Sequence, residues 1–240
     1  MAKQLIEGFY HDGSLLFDED GRNYIVYGND EIWITELNED LTAPKKDGLH
    51  RLLVSDHKNP KLGYEGSHIQ KINGYYYIFL IHSLRDRWMR TEACFYSDSL
   101  EGEFTGGDVL CDDRGYCGQG VAQGGIVDTP DGKWYAMLFQ DSGAVGRLPI
   151  LLPVTWKDHF PIFGQNGHVP EEIEVHSTRP GYIYQPLVGS DDFCNGLLPR
   201  WQFNHDPDPR YYHLDALQGT YTITTREVCT ELTQAVNTLT

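Results

Sequence analysis

The sequence predicts an all-β chain of propeller type, and three observations carry that expectation. Short runs rich in aromatic and β-branched residues recur along its first two thirds. Glycine turns of hairpin chemistry separate them. The hairpins so formed repeat at a spacing of roughly 55 residues, the length of a four-stranded blade.

Taken in order, the strands are RNYIVYG at 22–28, EIWITEL at 31–37, YYYIFLIHS at 75–83, TEACFYSD at 91–98 and KWYAMLFQD at 133–141. The segments DEDG at 18–21, Asn73-Gly74 and Pro130-Asp131-Gly132 can each supply the positive φ of a tight turn. Aligned on those turns, HDGSLLFDEDGRNYIVYG, EGSHIQKINGYYYIFLIHS and QGGIVDTPDGKWYAMLFQD share one pattern. Each runs from a polar tip through a short apolar strand and a glycine turn into an aromatic strand. In a propeller the innermost strands converge on a central axis, so the polar tips Asp12, Glu65 and Gln123 are expected to face one another. The texture changes after Pro170. Residues 1–170 read as the propeller, 171–187 as a polar, proline-bounded linker, and 188–240 as a second β domain. That last segment is about half the ~100 residues of a typical sandwich, so the chain is expected to stop within a domain.

Composition narrows the function. Lys and Arg total 19 against 35 Asp and Glu, a formal charge of −16, which argues against a nucleic-acid partner because phosphate binding relies on basic residues. The 15 Tyr and 5 Trp supply flat rings that suit sugar stacking as well as a β core. The five cysteines are odd in number and lack metal-ligand spacing, so free thiols are expected, with a Cys111–Cys117 bridge as the alternative. No apolar run approaches the ~18 residues of a membrane span, and MAKQLIEGFYHDGS has no apolar secretion core. A cytoplasmic location follows if Met1 is the true start, and oligomerisation stays open.

The segment HDGSLLFDEDGRNYIVYG resembles the second-blade motif of glycoside hydrolase family 43, and YEGSHIQKINGYYYIFLIHS resembles its third. GVAQGGIVDTPDGKWYAMLFQDSGAVGRLPILLPVTWKDHFPIFG is similar to the fourth-blade region, and SDDF through NTLT to the start of the β-sandwich that follows the propeller in two-domain xylosidase-like members. The resemblance implies a five-bladed propeller, here incomplete, and a glycosidase without redox cofactor. It implies exo-acting, inverting removal of xylose or arabinofuranose from xylan-derived saccharides.

Inverting hydrolysis needs one carboxyl group that stays protonated and a second, roughly 6.5–9.5 Å away, that activates water. By the resemblance Glu65 is the acid; Tyr64 before it helps desolvate the carboxyl, and Gly66 after it allows close backbone approach to a sugar. Asp12 matches a third carboxylate that orients the acid and keeps it protonated, although Gly13 stands where relatives often have proline. Arg147, in GAVGRLP, matches an arginine that reaches the sugar pocket. Gln123 stands where many relatives have a channel histidine. Its amide could serve calcium, but the 6–8 oxygens of such a site cannot be assembled from the sequence. The bland alternatives are a solvated Glu65, Asp12 as a turn cap, and Arg147 as a surface ion pair.

His68 shares a side with Glu65 only if the strand bulges, because a period of two pairs Glu65 with Ser67. His82, Trp88, Trp134 and Trp156 read as core residues, and Asp191, Asp192 and the PDPR turn as solvated loops. The family's water-activating base is an aspartate upstream of the Asp12 motif, yet only Glu7 offers a carboxylate before Asp12. These 240 residues alone are therefore expected to show little activity. The competing function is a non-catalytic carbohydrate-binding or interaction propeller in which Glu65 and Asp12 only hydrogen-bond a ligand.

Overall fold

In a computed structural model of the chain, the described residues are 6–175, 177, 179–184, 186, 189–203, 206–231 and 234–239. Two compact units divide at Val175. No α-helix occurs among the described residues.

The first unit contains three four-stranded antiparallel sheets, each built from consecutive strands. Sheet I comprises β1 (Ser14–Phe17), β2 (Asn23–Asn29), β3 (Glu31–Leu37) and β4 (His50–Ser55). Sheet II comprises β5 (Glu65–Ile72), β6 (Tyr75–Ser83), β7 (Arg90–Ser97) and β8 (Thr105–Leu110). Sheet III comprises β9 (Ala122–Asp128), β10 (Trp134–Asp141), β11 (Arg147–Lys157) and β12 (Phe160–Phe163). These are successive propeller blades, and the repeated hairpins are β1–β2, β5–β6 and β9–β10. The Asn73-Gly74 turn takes φ of 49° and 84°, the doubly positive geometry that matches the twist of a two-residue hairpin.

Period-two alternation explains how the blades stack. Leu16, Tyr24, Val26, Ile32 and Ile34 of sheet I bury against Ile69, Tyr76, Ile78 and Leu80 of sheet II. Tyr77, Phe79 and Cys94 of sheet II face Ile126, Ala136, Leu138 and Leu152 of sheet III. Sheet II is thus buried on both faces, which is why β6 is apolar at nearly every position. The opposite faces of the two flanking sheets leave Leu15, Phe17, Val127 and Met137 exposed. Trp134 and Trp156 pack edge to face at 5.3 Å beside the second core, as expected, whereas Trp88 is 44% exposed.

The inner strands β1, β5 and β9 lie side by side and are tied by polar contacts. The Ser67 hydroxyl donates to the carbonyls of Asp12 and Val26, at 2.9 Å each. The Ile69 N–H donates to Ser14 Oγ at 3.2 Å, and Gln70 Nε2 to the Ile126 carbonyl at 2.8 Å. All five cysteines are free, so the Cys111–Cys117 bridge is not formed.

In the second unit, β13 (Tyr212–Asp215) and β14 (Thr220–Ile223) form a hairpin, and Phe203 bridges Leu239. Several residues of the expected linker (176, 178, 185 and 187) and the expected domain start, Val188, lie outside the described residues. Two acids expected to be solvated are structural. Asp191 accepts the N–H groups of Phe193 and Leu198 and the Trp201 indole. Asp208 pairs with Arg210 at 2.7 Å while its own N–H is capped by Asn237. Each satisfies donors that the tight turns around it leave unpaired.

Candidate active site

The three polar tips arrive at the inner ends of β1, β5 and β9 by different local devices. Asp12 occupies the turn before β1 with φ 46°. Gln123 takes φ 65° near the start of β9. Glu65 opens β5, where it pairs with Ile81, while His68 pairs with Phe79. Three steps on β5 therefore face two on β6, a β-bulge accommodated by Gly66 at φ 65°.

The bulge reverses the expected order of side chains. Ser67 is buried with its hydroxyl bonded to the Asp12 and Val26 carbonyls, while His68 is exposed, and both line a cleft of about 240 Å³ with Asp12, Gly13, Ser14, Gly66 and Gln123. Crowding by the surrounding protein lowers the His68 pKa, partly countered by Asp12, although the ring edge reaches solvent.

Glu65 and Asp12 meet through a residue the sequence reading passed over. His11 Nε2 lies 3.5 Å from Glu65 Oε2 and 3.5 Å from Asp12 Oδ2, and its ring stacks on Phe9 at 5.6 Å. Asn29, at the end of β2, donates from Nδ2 to Glu65 Oε2 at 2.9 Å. One Glu65 oxygen is thereby engaged by the protein. The Glu65 side chain is 21% exposed. Asn29 also borders a second cleft of about 310 Å³ lined by Phe9, Tyr27, Trp33 and His50. Trp33 of that cleft stacks on His50 at 5.2 Å.

Arg147 belongs to a neighbouring group. It begins β11 directly opposite Asp141 of β10, with Nε 3.4 Å from Asp141 Oδ1. Its guanidinium lies 4.4 Å from the Phe139 ring centre. Buried Arg90 is 4.9 Å from the same ring and bonds the other Asp141 oxygen. The carboxylate that Arg147 holds is thus Asp141, a pairing hidden until β10 and β11 are in register. His82 is buried as expected, with Nε2 2.8 Å from Asp108 Oδ1.

Among the described residues, one group of three or more titratable ligands could hold a metal ion: His11, Asp12 and Glu65, with ligand atoms within 4.8 Å of one another. Gln123 is outside it, and an imidazole with two carboxylates suits a transition ion better than calcium, which takes 6–8 oxygens.

Known proteins resemble this chain in sequence and in fold. The model of glycosyl hydrolases family 43 matches residues 1–161. A putative beta-xylosidase of Xylanibacter ruminicola is 26% identical over 226 residues, covering 89% of this chain and 41% of the relative. A solved bifunctional GH43-CE protein of Bacteroides eggerthii superposes with a TM-score of 0.80 at 41% identity, covering 96% of this chain and 30% of that one. A GH43 hydrolase engineered to display both endo-xylanase and exo-arabinofuranosidase activity gives a TM-score of 0.79 at 27% identity, covering 99% of this chain and 45% of that one. The chain thus spans less than half the length of each of these relatives.

Proposed function

The chain belongs to glycosyl hydrolases family 43, and from that premise we propose that its first unit carries the acid side of an exo-acting, inverting site for xylosyl or arabinofuranosyl linkages, with xylo-oligosaccharides or arabinose-substituted saccharides as substrates. The observation that carries this reading is the convergence of Glu65 and Asp12, from two different sheets, on one histidine at the inner strand ends. The beta-xylosidase and exo-arabinofuranosidase descriptions of the relatives support the substrate class.

In this reading Glu65 is the general acid. Asn29 engages Oε2, leaving Oε1 to deliver the proton to the departing glycosidic oxygen as the C–O bond breaks. Water attacks the opposite face of the sugar and loses its proton to a second carboxylate. Asp12 is not that carboxylate. Its oxygen lies within 4.8 Å of a Glu65 oxygen, closer than the roughly 6.5–9.5 Å that an intervening water requires. It acts instead with His11 to orient the acid. Arg147, held by Asp141, and Gln123 bind sugar hydroxyls, and no step is assigned to a cofactor. Residues 188–240 are read as the start of a β-sandwich, supported by the β13–β14 hairpin.

The test is Glu65→Gln in the full-length protein. Hydrolysis of xylobiose should fall by about 10²–10⁴, while aryl xylosides with activated phenol leaving groups lose far less, because a good leaving group needs little protonation. Equal losses on both substrates would remove Glu65 from the acid role. Proton NMR of the first-formed sugar decides between inversion and retention.

A further inference from the structure

The proposed chemistry leaves one carboxyl group beside the site without a role. Glu92 lies on β7 with 0% exposure. Glu65 pairs with Ile81 across β5 and β6, and Ile81 pairs with Glu92 across β6 and β7, so the row places Glu65 and Glu92 on one face of sheet II. Burial raises the Glu92 pKa well above the carboxylate range, against the opposing pull of the Gln123 N–H and the Arg90 charge.

Its contacts are specific. Oε2 accepts the backbone N–H of Gln123 at 2.6 Å, and Oε1 is buried without a hydrogen-bond partner. A position chosen only for packing would carry an apolar residue of the same volume. The N–H it grips belongs to a non-glycine residue at φ 65°, a conformation that needs support from its surroundings. In that conformation the Gln123 side chain lies against Gly66, where an added Cβ would come within 2.7 Å of Gln123 Cγ and Nε2. Gly66 is the bulge residue directly after Glu65.

We propose that Glu92 is a positioning residue of the saccharide site: from inside the core it fixes the backbone of Gln123, whose side chain braces the Gly66 bulge that aims Glu65. The inference rests on reading Glu65 and Gln123 as saccharide-site residues.

The test compares Glu92→Gln, which keeps volume and an acceptor oxygen, with Glu92→Met, which keeps volume alone. Both are made in the full chain, with and without Gln123→Ala. Backbone amide NMR reports Gln123 and Gly66, and D-xylose titration reports the site. Glu92→Gln should leave the downfield Gln123 amide proton in place and change D-xylose affinity less than about twofold, since the acceptor is retained. Glu92→Met should move that proton upfield, shift Gly66 with it and weaken D-xylose about tenfold, the lower end of what lost support around a site residue costs. In the Gln123→Ala background Glu92→Met should add no further weakening. Unmoved Gln123 and Gly66 resonances in Glu92→Met overturn the proposal, as does equal weakening with and without the Gln123 side chain. If Glu92→Met does not fold, Glu92→Asp, which withdraws the oxygen by one methylene, is judged by the same criteria. If the unaltered chain does not bind D-xylose, the saccharide reading fails, while the resonances still decide whether Glu92 sets Gln123.

Discussion

Replacing Asp18 by Asn tests the polar tie that holds sheet I against sheet II and therefore Asp12 against Glu65. The Asp18 carboxylate follows β1, and its side chain is 1% exposed. It accepts Lys71 Nζ at 2.6 Å, the Tyr76 hydroxyl at 2.5 Å and the Glu19 N–H at 2.7 Å. Asn retains the volume but neither the charge nor the second acceptor oxygen. Removing one member of a buried pair costs about 3–5 kcal/mol; Lys71 is 22% exposed, so water recovers part of this and we expect about 2–3 kcal/mol. Burial alone would raise the Asp18 pKa, yet the bonds from Lys71, Tyr76 and Glu19 outweigh it and the pKa is lowered. The folded state therefore holds the proton less tightly than the unfolded state. This stabilisation is fully present above the unfolded value of about 3.9 and is lost as pH falls through the lower folded value. Urea unfolding of the original and Asp18→Asn proteins should show the full gap at neutral pH and a shrinking one below about pH 4. A neutral-pH difference under about 1 kcal/mol, the level of an exposed pair, would refute the reasoning, as would a gap unchanged by acid.

Three further outcomes follow from the packing. A Cβ at Gly120 would lie 1.8 Å from the Arg90 carbonyl oxygen, so Gly120→Ala should cost about 3 kcal/mol or more through forced backbone movement; at Gly74, where φ is 84° with open space around it, alanine should cost only about 1–2 kcal/mol, and urea unfolding compares the two. Burial pushes the Tyr24, Tyr64 and Tyr77 phenols up to about 12, so ultraviolet titration of the folded protein should leave at least these three of its 15 tyrosines largely protonated at about pH 11. Cys94 is buried, and burial raises its thiol pKa strongly. A disulfide reagent should reach exposed Cys117 and Cys194 at once and Cys94 only on unfolding.

The strands and their hairpin order were legible because both signals are local. Alternation in NYIVYGN and the Asn73-Gly74 dipeptide act over two to eight residues, so β2, β3, β6 and β10 lie within a residue of their expected ranges. The continuous apolar run of β6 marked a strand, but not that its two faces serve two separate cores. The Asp12–Glu65 pairing was legible only through the repeat, which brought equivalent blade positions to one axis. His11, Asn29 and Glu92 carried no comparable signal. The nearest was a glutamate within TEACFYS, next to the small apolar pair Ala93 and Cys94.

By itself the sequence determined an all-β chain, the succession of hairpins, the family resemblance and the candidate pair Asp12 and Glu65. Only the tertiary structure decided which way the candidates point and what touches them. One extra residue at Gly66 exchanges the faces of Ser67 and His68, and a change of face depends on pairing with β6, not on the composition of β5. The Asn29–Glu65 and Arg90–Asp141 bonds join residues 36 and 51 positions apart, so each exists only once blades stack. The raised pKa of Glu92 comes from the desolvation that complete burial imposes, and desolvation belongs to the assembled fold rather than to any segment of chain.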